Sequence, residues 1–100
     1  FLFLSGQIGI DPKAGKITAP SLEEQATQIF LNITAILEKA GYTMDDVVKT
    51  TCFLTDLSGF GAFNGIYEKY FTSKPARSCV EVSALPAGAL CEVEVVAYKK

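Results

Sequence analysis

Val47-Val48-Lys49-Thr50-Thr51-Cys52-Phe53-Leu54-Thr55 lies at the middle of the chain, between two segments that repeat their apolar residues at helical spacing. The run is rich in β-branched residues, which fit a pleated, half-buried strand. A strand held between two helices points to an α/β chain, and the flanks extend that reading in both directions.

Upstream, Pro20 is followed by Ser21-Leu22-Glu23-Glu24. This spacing predicts a capping box, in which Ser21 accepts from an early helix amide and Glu24 reaches back to the Ser21 amide. Ala26, Ile29, Phe30, Ile33, Ile36, Leu37 and Ala40 then recur at three- and four-residue steps, and Gly41 supplies a left-handed stop. Before this helix, Phe1 to Ile10 is apolar and β-prone and runs into the turn formers Asp11-Pro12-Lys13-Ala14-Gly15. Downstream, Asp56 to Gly59 turns the chain into a second helix, Phe60 to Phe71. Its stripe of Phe60, Phe63, Tyr67, Tyr70 and Phe71 must outweigh the low helix propensity of Gly61 and Gly65. After Pro75, Arg77 to Val82 reads as a third strand, Leu85 to Gly88 as a turn, and Leu90 to Tyr98 as a fourth strand.

The order β-α-β-α-β-β gives a mixed sheet: parallel neighbours through right-handed crossovers, then a terminal pair close enough to form a hairpin. Both helices must cover the same face, which leaves the other face in need of a partner. The chain of 100 residues, 49% hydrophobic with a mean hydropathy of +0.27, is too short for two cores and forms one domain, 1–100. So apolar a small chain is expected to cover part of its surface with other subunits. It opens inside a strand, so residues upstream of Phe1 are expected to have been lost.

Composition also excludes chemistry. A net charge of −2, a pI near 5.0 and no basic run give no footprint for a nucleic-acid backbone. With no histidine, Ser-His-Asp and Cys-His catalysis are absent. Cys52, Cys79 and Cys91 have neither disulfide nor zinc spacing and read as thiols of a reducing, cytoplasmic compartment. Asp45-Asp46 lacks a cage for a cation and reads as a cap before the second strand. No apolar run approaches a membrane span.

Alternation places Arg77, Cys79 and Glu81 on one side of the third strand, and Glu92, Glu94 and Val96 on one side of the fourth. If the apolar sets lie under the helices, the bare face gathers Arg77, Glu81, Glu92 and Glu94. A solvated or ion-paired sheet face accounts for that cluster; burial against another subunit would make it a site. Ser5-Gly6-Gln7-Ile8-Gly9 fits a kink or bulge, or close approach of a ligand.

Ser5-Gly6-Gln7-Ile8, Val48-Lys49-Thr50-Thr51, Phe63-Asn64-Gly65-Ile66-Tyr67-Glu68, Pro75-Ala76-Arg77-Ser78-Cys79-Val80-Glu81-Val82 and Glu92-Val93-Glu94-Val95-Val96-Ala97 occur in one order. Together they closely resemble the reactive intermediate deaminase A (YjgF) family, over essentially the whole chain. The resemblance implies a chorismate-mutase-like fold and a homotrimer with three clefts between subunits. It implies that Arg77 binds the substrate carboxylate, that Glu92 activates water, that the Cys79 backbone holds the ligand, and that Ser5, Gly6 and Asn64 line the cleft. The implied reaction is cofactor-free hydrolysis of 2-iminopropanoate or 2-iminobutanoate to a 2-keto acid and ammonia. A non-catalytic carboxylate-binding relative is the alternative, and a ribonuclease or translation inhibitor is physically weaker. Two departures stand out: the family's upstream cleft tyrosine is not in this sequence, and the Phe71-to-Pro75 connection is shorter than in many relatives.

Overall fold

The computed structural model describes residues 1–100. Eight regular elements follow in order: β1 (Leu2–Gln7), β2 (Ile10–Asp11), β3 (Lys16–Ile17), α1 (Leu22–Lys39), β4 (Val47–Leu54), α2 (Phe60–Tyr70), β5 (Ala76–Glu81) and β6 (Cys91–Ala97).

α1 begins where its cap dictates. The Glu24 amide donates to Ser21 Oγ at 3.1 Å, and the Ser21 hydroxyl donates to Glu24 Oε1 at 2.9 Å. The glutamate therefore closes the box on the hydroxyl rather than on the Ser21 amide. At the other end Gly41 takes φ 83°, while the amides of Gly41 and Tyr42 close on the carbonyls of Glu38 and Leu37. Ala26, Ile29, Phe30, Ile33 and Leu37 are fully buried; Ile36, expected on the same stripe, is 38% exposed. α2 is held by rings, as expected. Phe30 of α1 lies 5.2 to 6.0 Å, centroid to centroid, from Phe63, Tyr67, Tyr70 and Phe71. Each fully buried phenylalanine contributes about 1.5–3 kcal/mol, which offsets the glycine penalty in α2.

The four-stranded sheet has the order β1-β6-β4-β5, and β2 and β3 form a separate two-residue pairing. β4 and β5 are parallel, as the crossover through α2 requires. The expected β5–β6 hairpin does not form. β6 enters between β1 and β4 and is antiparallel to both. The reason lies in its side chains: Cys91, Val93, Val95 and Ala97 are at most 1% exposed, a burial available only in the sheet centre under α1. The Val82 amide donates to the Leu54 carbonyl and the Thr55 amide to the Leu90 carbonyl, so the intervening connection passes over the end of β4. Strand one also stops at Gln7 rather than Ile10, because Ile10–Asp11 leaves to pair with Lys16–Ile17.

α1 and α2 cover one side of the sheet. The other side carries no layer of this chain, and Phe3 and Val80 stand 73% and 44% exposed on it. No helix is long and apolar enough to cross a membrane.

Candidate functional site

Register decides where each predicted site residue falls. Thr50, Cys52 and Leu54 of β4 are buried beneath the helices, and they pair with Arg77, Cys79 and Glu81 of β5. Paired residues share a face, so Arg77 and Glu81 lie on the helix-covered side and not on the bare face expected for them. Glu92 pairs with Phe53 and Glu94 with Thr51, and both glutamates do face the bare side. The expected four-residue cluster is thus split across the sheet.

Arg77 can occupy a helix-covered face because a guanidinium is flat, weakly hydrated and suited to stacking on rings. Its central carbon sits 4.3 Å from the ring centroid of Tyr67 and 5.3 Å from that of Phe60. Nη1 donates to Asn64 Oδ1 at 2.7 Å, and Asn64 Nδ2 donates to Glu68 Oε1 at 3.0 Å. Below the ring, the Tyr67 hydroxyl and Thr50 Oγ1 share a buried hydrogen bond of 2.7 Å. Burial raises the Tyr67 phenol above its ordinary pKa, so it remains a neutral hydroxyl at physiological pH. A cleft of about 680 Å³ opens beside Arg77, lined also by Asn64, Tyr67, Glu68, Phe71 and Lys74.

β5 is an edge strand. The Val82 amide points toward β4, so alternation turns the amides of Arg77, Cys79 and Glu81 toward the open edge. The expected backbone role of Cys79 is therefore sterically available. Its thiol is less suited to chemistry: burial raises its pKa, with Arg77 pulling only partly the other way. Glu81 is occupied elsewhere, accepting from the Leu57 amide at 2.9 Å. Asp46 likewise serves as a cap, accepting from the Thr43 amide at 2.8 Å.

At the opposite edge, the β1–β6 ladder slips between Leu4 and Gln7. Ser5 and Gly6 form this irregularity, and the carboxyl of Glu92 packs directly over Gly6, where any side chain would overlap its Oε2. The glycine's close approach is thus to a group of its own chain. Glu92 and Arg77 lie on opposite sides of the sheet with β4 between them. Strand spacing and rise put them about 10 Å apart across the sheet and about 10 Å along it. One copy of the chain therefore keeps the predicted site residues in two separate groups: Arg77, Asn64 and the Cys79 amide at the β5 edge, and Ser5 and Gly6 of β1 with Glu92 of the adjoining β6.

The supports of Arg77 escaped sequence reasoning. Their signal was present in Thr50 and Tyr67, two hydroxyls at positions that pattern alone buries, since buried hydroxyls require partners.

The family described as Endoribonuclease L-PSP matches residues 1–99. A RutC family protein of Pyrococcus horikoshii is 50% identical over 101 residues, spanning 100% of this chain and 80% of that protein. RidA from the Antarctic bacterium Psychrobacter has the same fold, with a TM-score of 0.92 and 41% identity over 97% of this chain and 79% of its own. Escherichia coli TdcF, solved with bound serine, gives 0.91 and 37% identity over 98% of this chain and 80% of its own. Matched along nearly its full length in both sequence and fold, the chain belongs to the Endoribonuclease L-PSP family, the family of the RutC and Rid proteins.

Proposed function

We propose that the protein hydrolyses small 2-imino acids to 2-keto acids and ammonia, at sites completed by two neighbouring copies. The observation that carries this reading is Arg77: a guanidinium fixed on an aromatic platform at an open sheet edge, with only Nη1 engaged by Asn64. Its remaining N–H groups match a carboxylate, which Lys could bind only as a point charge. The bound serine of TdcF, a small molecule with nitrogen and carboxylate on one carbon, supports this chemistry for a relative.

A head-to-tail closed assembly, a trimer by family resemblance, brings the β5 edge of one copy to the β1 edge of the next. Arg77 then holds the substrate carboxylate, with the Cys79 amide beside it. Glu92 of the neighbouring copy faces the imine carbon through a water molecule. The carboxylate of Glu92 takes a proton from that water as its oxygen bonds to C2 of the protonated imine. The carbinolamine nitrogen receives that proton from Glu92, the C–N bond breaks as the C2 hydroxyl gives its own proton back to the Glu92 carboxylate, and ammonia leaves with the 2-keto acid, taking up the proton as ammonium. The imine carbon is already electrophilic, so placement and one proton relay suffice, and no cofactor enters. Such chemistry belongs with dehydratases that release enamines into the cytoplasm.

The test couples the protein to threonine dehydratase and follows 2-ketobutyrate release against the uncatalysed rate. Acceleration by the wild type, its loss in Arg77→Ala, and loss of turnover with retained carboxylate binding in Glu92→Gln are expected. No acceleration, or full activity in Arg77→Ala, overturns the assignment; carboxylate binding without turnover in the wild type makes the protein a binding module instead.

A further inference from the structure

Asn64 was expected to line the cleft, and both its amide oxygen and its amide nitrogen are engaged by groups of the protein. Resting on the function proposed above, we infer that Asn64 is a positioning residue: with Glu68 and the Thr50–Tyr67 pair it fixes the Arg77 guanidinium for carboxylate capture, and it does not touch the substrate.

A primary amide has one acceptor oxygen and an NH₂ donor group. Here the oxygen meets a cation, Arg77 Nη1 at 2.7 Å, and the nitrogen meets a carboxylate, Glu68 Oε1 at 3.0 Å. Both neighbours demand the same orientation, so the amide cannot turn over without losing two charge-assisted bonds. The spacing follows from the helix, since residues 64 and 68 of α2 are one turn apart on one face. On the other side of the guanidinium lies the Tyr67 ring. That ring is itself held by its hydroxyl bond to Thr50 and by stacking on Phe71 at 4.5 Å. The ring restrains the guanidinium plane and the amide fixes its rotation within that plane.

The identity of the tether matters. A carboxylate at position 64 would pair directly with Arg77 and compete with a substrate carboxylate. The neutral amide holds the guanidinium without neutralising it, and Glu68 acts on the amide one group away. The arrangement thus keeps a formal positive charge and an oriented N–H fork available to the ligand.

The experiment titrates the protein with 2-ketobutyrate and with its carboxamide, followed by amide chemical shifts, and records Tm for every variant. The ratio of the two affinities reports the guanidinium–carboxylate contact alone. In Asn64→Ala the carboxylate is expected to bind about tenfold more weakly, with the carboxamide little changed. Asn64→Asp should reduce the ratio at least as far. Glu68→Ala should lower it, and Glu68→Gln, which keeps an acceptor oxygen, should restore it. Equal weakening of both ligands in Asn64→Ala would mean that Asn64 touches the ligand, and would overturn the inference. So would a wild-type ratio retained in Asn64→Ala and Glu68→Ala while only Tm moves. A wild type that binds neither ligand overturns the proposed function itself, and this inference with it.

Discussion

Two inactive variants should make an active enzyme when their subunits are mixed. Arg77 and Glu92 are separated by the β4 strand and face opposite sides of the sheet, so a site that uses both must draw them from different copies. In a closed head-to-tail ring, each site takes Arg77 from one copy and Glu92 from the next. Mixing Arg77→Ala with Glu92→Gln in equal amounts leaves a site intact only when the first copy retains Arg77 and the second retains Glu92. Each condition holds with a chance of about one half, so about a quarter of the sites recover, whatever the number of subunits in the ring. The assay is 2-keto acid release after dissociation and reassembly, with exchange verified by differently tagged copies. A complementary mixture of wild type with the double variant should also leave about a quarter of sites active; if one chain held the whole site, about half would remain. Verified exchange without recovery in the first mixture, together with one-half activity in the second, would refute the shared site.

Three further outcomes follow from contacts within the chain. Gly6→Ala should cut turnover about a hundredfold while leaving Tm nearly unchanged: the new methyl group would overlap Glu92 Oε2, and a reacting group displaced by roughly 1 Å costs about that much. Full activity in this variant would count against Glu92 as the water-activating group. Tyr67→Phe should destabilise the fold by about 1–3 kcal/mol in urea unfolding, because Thr50 Oγ1 is left buried without its partner; adding Thr50→Val should recover most of the loss, and simple additivity would contradict the pairing. Burial pushes Cys52 and Cys91 from 9.0 up to about 12. Between those values the folded state binds more protons than the unfolded chain, so this stability is complete below pH 9 and falls as pH rises toward 12. Tm against pH should decline less steeply over that window in a Cys52→Ala/Cys91→Ala variant than in the wild type, and parallel declines would sink the assignment.

The helices were legible in the sequence because local signals set their ends: Ser21 and Glu24 at one terminus of α1, Gly41 at the other, and an aromatic stripe along α2. The mixed sheet and its uncovered face also followed from element order. Strand order did not, since a terminal β-β pair is compatible with a hairpin until burial is weighed. Cys91, Val93, Val95 and Ala97 make β6 more apolar on its inner side than an edge position would need. The site was legible residue by residue but not in its placement. Alternation correctly grouped Arg77 with Cys79 and Glu81, yet charge was a poor guide to which face they take. The pairing of Cys79 with buried Cys52 puts Arg77 under α2, where rings rather than water receive it. The same alternation correctly put Glu92 and Glu94 outside, because Val93 and Val95 fill the core beside them.

The two open edges also favour one mode of assembly. A two-fold pairing of β5 with β5 would bring two copies of Arg77 to one seam, and a pairing of β1 with β1, which has no charged residue of its own, would leave the Arg77 of each copy on the far edge. Like charges brought together in a desolvated seam are costly. Joining β5 to β1 would instead bring Arg77 of one copy toward Glu92 of the next, which β6 carries beside β1, and would leave the same contact to be satisfied at each end of the pair. Under the proposed chemistry a closed ring would satisfy every edge, whereas an open pair would leave one Arg77 and one Glu92 unmatched. Such closure would also cover the bare sheet face, on which Phe3 and Val80 are exposed in the single chain. If the proposed ring forms, burial of the bare face and completion of the site are one event, and a variant that blocks assembly should lose turnover even with Arg77 and Glu92 both intact.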